Sequence, residues 1–521
     1  MLFTALSIGA LSLVLFAAGL FGLLYIPNII AIFALFIAAE VMYIYKKRRS
    51  ITFSLSGFSL FQKFLIGLLL LQSVVNFIGV LGPELGFDAL WYHLTLPKIF
   101  LEHHKVFFIP GDLLYYSLFP KLTEMLYLVP LSLGSEAGAK FIHFSFGILT
   151  LVLLYKTSRI FLNKTFSLLV LTVFYSNPVV GWESITGYVD LARTFFELFA
   201  FYYFVTFLKT GNKKNIITSG MLLGLGISVK TLSLGSLPLY ALLLIFSKSK
   251  SKVSSMMLLI LSAALTSILW FVYAYISSGN PFYPLFSSRY SDLGQGYASV
   301  IQAGKDLFIL SFYSPDPISP LYILFIPLIG ITFNKMKGVE KTLLFYSFLA
   351  IMLWTITPRT GTSRFLLPYL PVMSIAVTLP LKYLKDKFYI KTAYVLITLC
   401  MLISIFYRGA ANTKFIPYIV GSESKEEFLM NYLNFSYGDF YDEEQAIKEI
   451  VGQKKVLTVG LHNLYYIDFP FVDSSYVRNG EEFNYVLVQN AILPSRFSTA
   501  KLAYVNSKTH VKLYDVGKTL W

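Results

Sequence analysis

About thirteen apolar runs in this chain are long enough to cross some 30 Å of hydrocarbon. They fall at 3–24, 28–45, 60–82, 137–157, 164–180, 184–207, 214–230, 233–247, 254–277, 318–334, 341–357, 364–384 and 389–407. A backbone with no water beside it must satisfy its own hydrogen bonds, so such runs are expected to be helices. The chain therefore reads as an all-α polytopic membrane protein. Composition agrees: 14% of its 521 residues are charged and 56% hydrophobic, against about 25% charged in soluble domains.

Basic clusters set the expected orientation. Lys46-Lys47-Arg48-Arg49 follows the second run, Lys156 and Arg159 the fourth, Lys209, Lys213 and Lys214 the sixth, and Lys248, Lys250 and Lys252 the eighth. Lys335 and Lys337 follow the tenth, and Lys382, Lys385 and Lys387 the twelfth. Under strict alternation all lie on one side, which the positive-inside rule makes the cytoplasm. The N-terminus is then cytoplasmic, its first run a retained span, and the C-terminal segment lies outside. The net charge of +15 is explained by these short loops and by anionic lipid headgroups, with no nucleic acid implied. The single cysteine, Cys400, excludes a disulfide or a cysteine-built metal site within the chain.

Two outer loops are long. In 83–136, the apolar but broken segment 118–133 is expected to lie in the membrane interface. The other, 278–317, opens with Gly279-Asn280-Pro281-Phe282-Tyr283-Pro284 and reads as an irregular cover over a cavity or as a plain connector. From about 408 the composition turns polar. Strand-like runs at 455–459, 485–488 and 510–514, with a helical stretch at 443–451, predict a small extracytoplasmic α/β domain for recognition or support. The expected divisions are 1–59, two extra N-terminal helices; 60–407, the main transmembrane bundle, which the resemblance drawn below makes the catalytic domain; and 408–521, the outer domain.

Ionisable residues at membrane depth are costly, so their positions are informative. The stretch Gly86-Phe87-Asp88-Ala89-Leu90-Trp91-Tyr92-His93-Leu94-Thr95-Leu96-Pro97-Lys98 begins a polar loop directly after the third run. Asp88 there is either a general base or the N-cap of an interfacial helix. Asp190 opens a helix, with Arg193 and Glu197 following on nearby turns, and a simple Asp190–Arg193 pair is the plain alternative to a functional role. Lys230 closes the seventh run on the outer side, against the charge bias, and either meets an anion or snorkels to the interface. Arg359 and Arg364 precede the twelfth run, and arginine's forked donors suit a phosphate. One topology puts all of these at the same outer level.

With these motifs in hand, the chain resembles the GT-C superfamily of integral-membrane glycosyltransferases, in particular the bacterial protein mannosyltransferase and aminoarabinose transferase group. The resemblance covers roughly 60–407. It rests on the Asp88 loop, on Gly187-Tyr188-Val189-Asp190-Leu191-Ala192, and on Leu223-Gly224-Leu225-Gly226-Ile227-Ser228-Val229-Lys230. Asn280-Pro281-Phe282-Tyr283-Pro284 and Arg364-Phe365-Leu366-Leu367-Pro368-Tyr369-Leu370-Pro371 complete it. It implies a polyprenyl-phosphate sugar donor, an acceptor on protein, lipid or glycan, and transfer at the outer face. Asp88 would act as general base and Asp190 would orient the acceptor or a cation. Lys230 and Arg364 would hold the lipid phosphate, with Glu84, Tyr92, His93, Lys98 and Arg359 also in the substrate site. Many relatives pair Asp with Glu in the first loop. Here Ala89 follows Asp88, which leaves Glu84 or His93 as helper. The spacing requires no metal, although His93, His103 and His104 allow a divalent one. The competing expectation is a transporter or flippase for a lipid-linked or anionic solute.

Overall fold

The computed structural model describes all residues except 48–55, 249–250, 287–299, 315 and 358–362. Each predicted apolar run contains helix, although 184–189 of the sixth run are turn, bend and irregular backbone and its helix begins only at Asp190. In order come α1 (Leu2–Leu20), α2 (Ile26–Lys46) and α3 (Leu60–Leu81), then α4 (Thr95–Glu102) and α5 (Leu122–Ser132) within the first long loop. There follow α6 (Glu136–Ser158), α7 (Lys164–Tyr175), α8 (Pro178–Glu183), α9 (Asp190–Thr210), α10 (Lys213–Val229), α11 (Ser236–Phe246) and α12 (Lys252–Ser278). After α13 (Val300–Phe312) come α14 (Leu321–Leu324), α15 (Ile326–Thr332), α16 (Gly338–Thr355), α17 (Leu370–Thr378) and α18 (Lys387–Asn412). Among the described residues eight helical segments are long and apolar enough to cross a membrane. The chain is a multi-pass membrane protein. Runs 164–180 and 318–334 are each split in two, because Pro178 and Pro327, at the starts of α8 and α15, have no amide to continue the preceding ladder.

Helix α9 is the axis of the bundle. Inside the protein 78% of its apolar window is buried, against 6% for α2, which faces outward. It packs between α6 and α10. The glycine spacing of α10 is explained by its contact with α12: a Cβ at Gly220 or Gly224 would collide with the carbonyls of Leu259 and Ala263. Small residues four apart let two helix backbones approach closely in lipid.

A helix forms in the expected segment of the first long loop, and it is enclosed by the fold: Leu122–Val129 of α5 are all buried, packed against α1, α4 and α6. The charged residues at its start have partners inside the fold. Glu124 meets His93, and Lys121 donates to the carbonyls of Tyr116 and Phe119. The loop at 278–317 is not irregular throughout, because its end forms α13. Residues 287–299 of that loop lie outside the described residues.

Beyond α18, short helices α19 (Ile416–Ile419), α20 (Lys425–Tyr432) and α21 (Ala446–Val451) lead into a sheet of β1 (Val456–Val459), β2 (Phe471–Asp473), β3 (Glu482–Gln489), β4 (Lys501–Asn506) and β5 (Val511–Leu520). The order is β2-β1-β3-β5-β4. β1 runs parallel to β2 and β3, while β5 is antiparallel to β3 and β4. The predicted strands are β1, β3 and β5. The others escape a periodicity reading, because β2 has three residues and β4 is largely exposed.

This C-terminal region is fastened to the first loop. Lys98 Nζ donates to the carbonyl of Tyr465 at 2.9 Å and to that of Ile467. The Tyr466 hydroxyl donates to the Glu84 carbonyl at 2.8 Å and to Glu136 Oε2 at 3.2 Å.

Candidate functional site

Glu84 organises the start of the site. Buried at the end of α3, its Oε1 accepts from the amides of Leu85 (3.0 Å) and Gly86 (2.6 Å), and its Oε2 from that of Gly187 (2.6 Å). It binds the Asp88 loop to the loop that leads into α9. The Asp88 amide reinforces this by donating to the Tyr188 hydroxyl at 3.1 Å. Ala89–His93 then forms a five-residue π turn, a rare wide turn often found at functional sites.

The Asp88 side chain does not cap this turn. Its Oδ2 instead lies 2.7 Å from Arg364 Nη1 and accepts from the Tyr92 hydroxyl at 3.3 Å. Arg364 Nε lies 3.7 Å from Asp190 Oδ2. Lys230 Nζ completes the row, donating to Asp190 Oδ1 at 2.8 Å and Oδ2 at 3.0 Å. Aromatic faces hold the cations: Arg364 sits 4.9 Å from the Tyr188 ring and Lys230 5.2 Å from the Phe365 ring. Two acids and two bases thus alternate as Asp88, Arg364, Asp190, Lys230. Asp190, in the first turn of α9 where the helix dipole favours an anion, is sealed at 0% exposure, while Asp88, Arg364 and Lys230 keep 12–16%. The row has a buried anchor and an accessible rim. Burial pushes the Asp88 carboxyl up, but Arg364, His93 and Lys230 together outweigh it and hold it below the ordinary value.

The Asp190–Arg193 pair does not form. Arg193 turns inward, its Nε 2.9 Å from Ser233 Oγ and its Nη2 2.9 Å from the Tyr369 hydroxyl, with Glu197 Oε1 at 3.7 Å. Glu197 Oε1 also accepts from Ser236 Oγ at 2.8 Å.

Of the residues chosen from sequence, Asp88, Tyr92, Asp190, Lys230 and Arg364 come together. Glu84 braces the loop beneath them. His93 is buried with its Nδ1 2.8 Å from Glu124 Oε1, and Lys98 faces the C-terminal carbonyls. Arg359 lies outside the described residues. His103 and His104 have separate partners: His103 Nδ1 lies 2.9 Å from the Ile99 carbonyl, and His104 stacks on Tyr25 at 4.0 Å. Among the described residues no group of three or more His, Cys, Asp or Glu is placed to hold a metal.

Several contributors were not anticipated. His143, fully buried on α6, accepts from the Leu191 amide through Nε2 at 2.9 Å and donates from Nδ1 to the Thr186 carbonyl at 3.0 Å. The Leu191 donor requires a lone pair on Nε2, so the ring is the neutral Nδ1–H tautomer. It brackets the segment that carries Tyr188 and Asp190. A histidine inside an apolar run was the available signal. His462, from the C-terminal region, stacks on Phe87 at 5.0 Å and approaches Trp91 at 4.3 Å. Nothing local in the sequence marks it.

Residues 128–275 match the family model of the dolichyl-phosphate-mannose-protein mannosyltransferases. The fold is similar to that of ArnT from Cupriavidus metallidurans. Against its apo structure the TM-score is 0.58 at 10% identity, covering 88% of this chain and 98% of that one. Against the form bound to undecaprenyl phosphate it is 0.56 at 10% identity, covering 87% and 98%. An uncharacterized protein of Shigella flexneri is 30% identical over 115 residues, 22% of this chain. The chain spans 57% of the length of that curated relative. In fold and in this stretch of sequence, the chain resembles the GT-C integral-membrane glycosyltransferases. Within them its likeness is to the protein mannosyltransferase and aminoarabinose transferase group.

Proposed function

We propose that the chain transfers a sugar from a polyprenyl-phosphate donor to an acceptor hydroxyl at the outer face of a cell membrane. The observation that carries this reading is the alternating row Asp88, Arg364, Asp190, Lys230, with three members on an accessible rim. The ArnT structure bound to undecaprenyl phosphate supports a lipid-phosphate ligand for this fold. The N-terminus is then cytoplasmic, residues 60–407 are the catalytic bundle, and 408–521 cover it from outside.

In this reading the donor phosphate competes with Asp88 for Arg364 and shares Lys230 with Asp190. Arginine's forked donors favour phosphate oxygens. When Arg364 turns to the phosphate, the carboxylate of Asp88 loses its strongest stabilising partner and becomes more basic. It then takes the proton of the acceptor hydroxyl as that oxygen bonds to the anomeric carbon. The bond from that carbon to the phosphate oxygen breaks, and the electron pair leaves with the lipid phosphate, whose charge the two cations offset. Asp190 stays behind to keep Lys230 in place.

The test is transfer by purified Asp88→Asn protein supplied with polyprenyl-phosphate sugar, with lipid-phosphate binding measured in Arg364→Met and Lys230→Ala. Undiminished transfer by Asp88→Asn removes Asp88 from its role. Undiminished binding by both other variants removes the phosphate site. Counterflow of substrate across liposomes with no covalent product indicates transport instead.

A further inference from the structure

We propose that Phe87, Trp91, Tyr437 and His462 form a carbohydrate-binding face for the acceptor, so that the C-terminal domain helps choose what is glycosylated. The inference rests on the reading of the Asp88 row as the transfer site.

The face is shared by two distant parts of the chain. Phe87 adjoins Asp88, and Trp91 follows in the π turn. His462 lies parallel to Phe87 at 5.0 Å with 21° between the rings, and against Trp91 at 4.3 Å. Tyr437 meets Phe87 edge-on at 5.3 Å and is 69% exposed. Inward, Trp91 contacts Tyr116 at 5.0 Å, Tyr116 stacks on Tyr92 at 3.7 Å, and the Tyr92 hydroxyl reaches Asp88. An aromatic path therefore runs from an exposed tyrosine to the reacting carboxylate. The Trp91 indole is fixed by its Nε1 donating to the Leu113 carbonyl at 2.8 Å.

The chemistry of the face suits a pyranose. Aromatic faces carry partial negative charge and attract the polarised C–H groups on the flat side of a sugar. Burial holds the His462 imidazole below its ordinary pKa, against the opposite pull of Asp88. A neutral imidazole offers one donor and one acceptor, the pattern a sugar hydroxyl can meet from either side. None of the four side chains is a lysine or arginine, so the face does not select an anion.

The experiment uses the full chain in lipid nanodiscs, titrated separately with short pyranose oligosaccharides, a Ser/Thr-containing peptide and undecaprenyl phosphate, and read by tryptophan emission. The expected result is a saturable response to an oligosaccharide. It should weaken about five- to tenfold in His462→Ala and in the exposed-site variant Tyr437→Ser, with undecaprenyl phosphate binding unchanged in both. The proposal is overturned if no oligosaccharide gives a saturable response, if the double variant binds it as well as the native protein, or if only the peptide binds. Failure of undecaprenyl phosphate to bind the native protein would count against the transfer site alone.

Discussion

Helix α9 carries two cation–carboxylate clusters little more than a turn apart, and both use the same three pieces of chain. The outer one joins Asp190 on α9 to Lys230 and to Arg364, and through Arg364 to Asp88 from the first loop as a further piece. The inner one joins Arg193 and Glu197 on α9 to Ser233 and Ser236 and to Tyr369. In the outer cluster, charges face charges and three of the four side chains keep some exposure. In the inner one the charges are sealed, at 2% and 0%, and neutral hydroxyls share in satisfying them. An ionic partner can be displaced by a ligand that brings its own charge, whereas a buried hydroxyl network offers a ligand no entry. Burial of charge alone therefore does not mark a site; exchangeable partners at an accessible rim do.

The largest expected effect separates the clusters by activity. Asp88→Asn should lower transfer by about 10²- to 10⁴-fold with little change in thermal unfolding, measured in matched detergent. Arg193→Met should do the reverse, leaving Glu197 with an uncompensated buried charge at a cost of about 3–5 kcal/mol, read as a lowered unfolding midpoint. If the Arg193 variant lost more transfer per folded molecule than the Asp88 variant, the contrast would be gone. Next, Lys230→Ala should weaken polyprenyl-phosphate binding by about tenfold or more, the worth of one charge-assisted hydrogen bond. Tyr369→Phe, which removes the hydroxyl bonded to Arg193, should cost about 1.5 kcal/mol of stability and leave lipid binding intact.

The smallest effect is in pH. Because the Asp88 pKa is depressed in the folded protein, the unfolded state binds more protons on the acid side. Its contribution to stability is full above the ordinary value of 3.8 and is lost as pH falls through the lower folded value. In Arg364→Met the largest lowering influence is gone and burial dominates, so the acid limb of the transfer profile should move to higher pH. An unmoved limb would show that Arg364 does not set the charge of Asp88.

The part of the site legible in the sequence was the ionisable part. Asp190, Lys230 and Arg364 stood out because hydrocarbon makes such residues expensive, and the alternation of spans placed them at one level. Asp88 was legible as a candidate but not as a choice, since an aspartate before a helix is also a good cap. The structure sets aside the cap, because the Asp88 side chain makes no cap hydrogen bond and lies 2.7 Å from Arg364 instead. Tyr188 and Tyr369 fall within motifs the sequence offers, but their roles were hidden, because in a chain with 36 tyrosines and 48 phenylalanines an aromatic carries no positional signal; Ser233 and His462 have no local mark at all. The burial of α5 was hidden for a related reason. Lys121 and Glu124 read as interfacial polarity in the sequence, whereas Glu124 meets His93 and Lys121 donates to the carbonyls of Tyr116 and Phe119. The strands β1, β3 and β5 followed from apolar runs, while β2 and β4 depend on neighbours for their pairing.

The clamp on Lys98 has a consequence for biogenesis. Its ammonium is held by carbonyls that lie 367 and 369 residues further along the chain. While the ribosome is still making the C-terminal region, the helices already inserted in the bilayer leave that lysine without its acceptors and the Asp88 loop without this fastening. Translation must therefore reach the segment that carries Tyr465 and Ile467 before the Asp88 loop is fastened. A chain cut short before Tyr465 would reach the membrane with neither of these acceptors for Lys98.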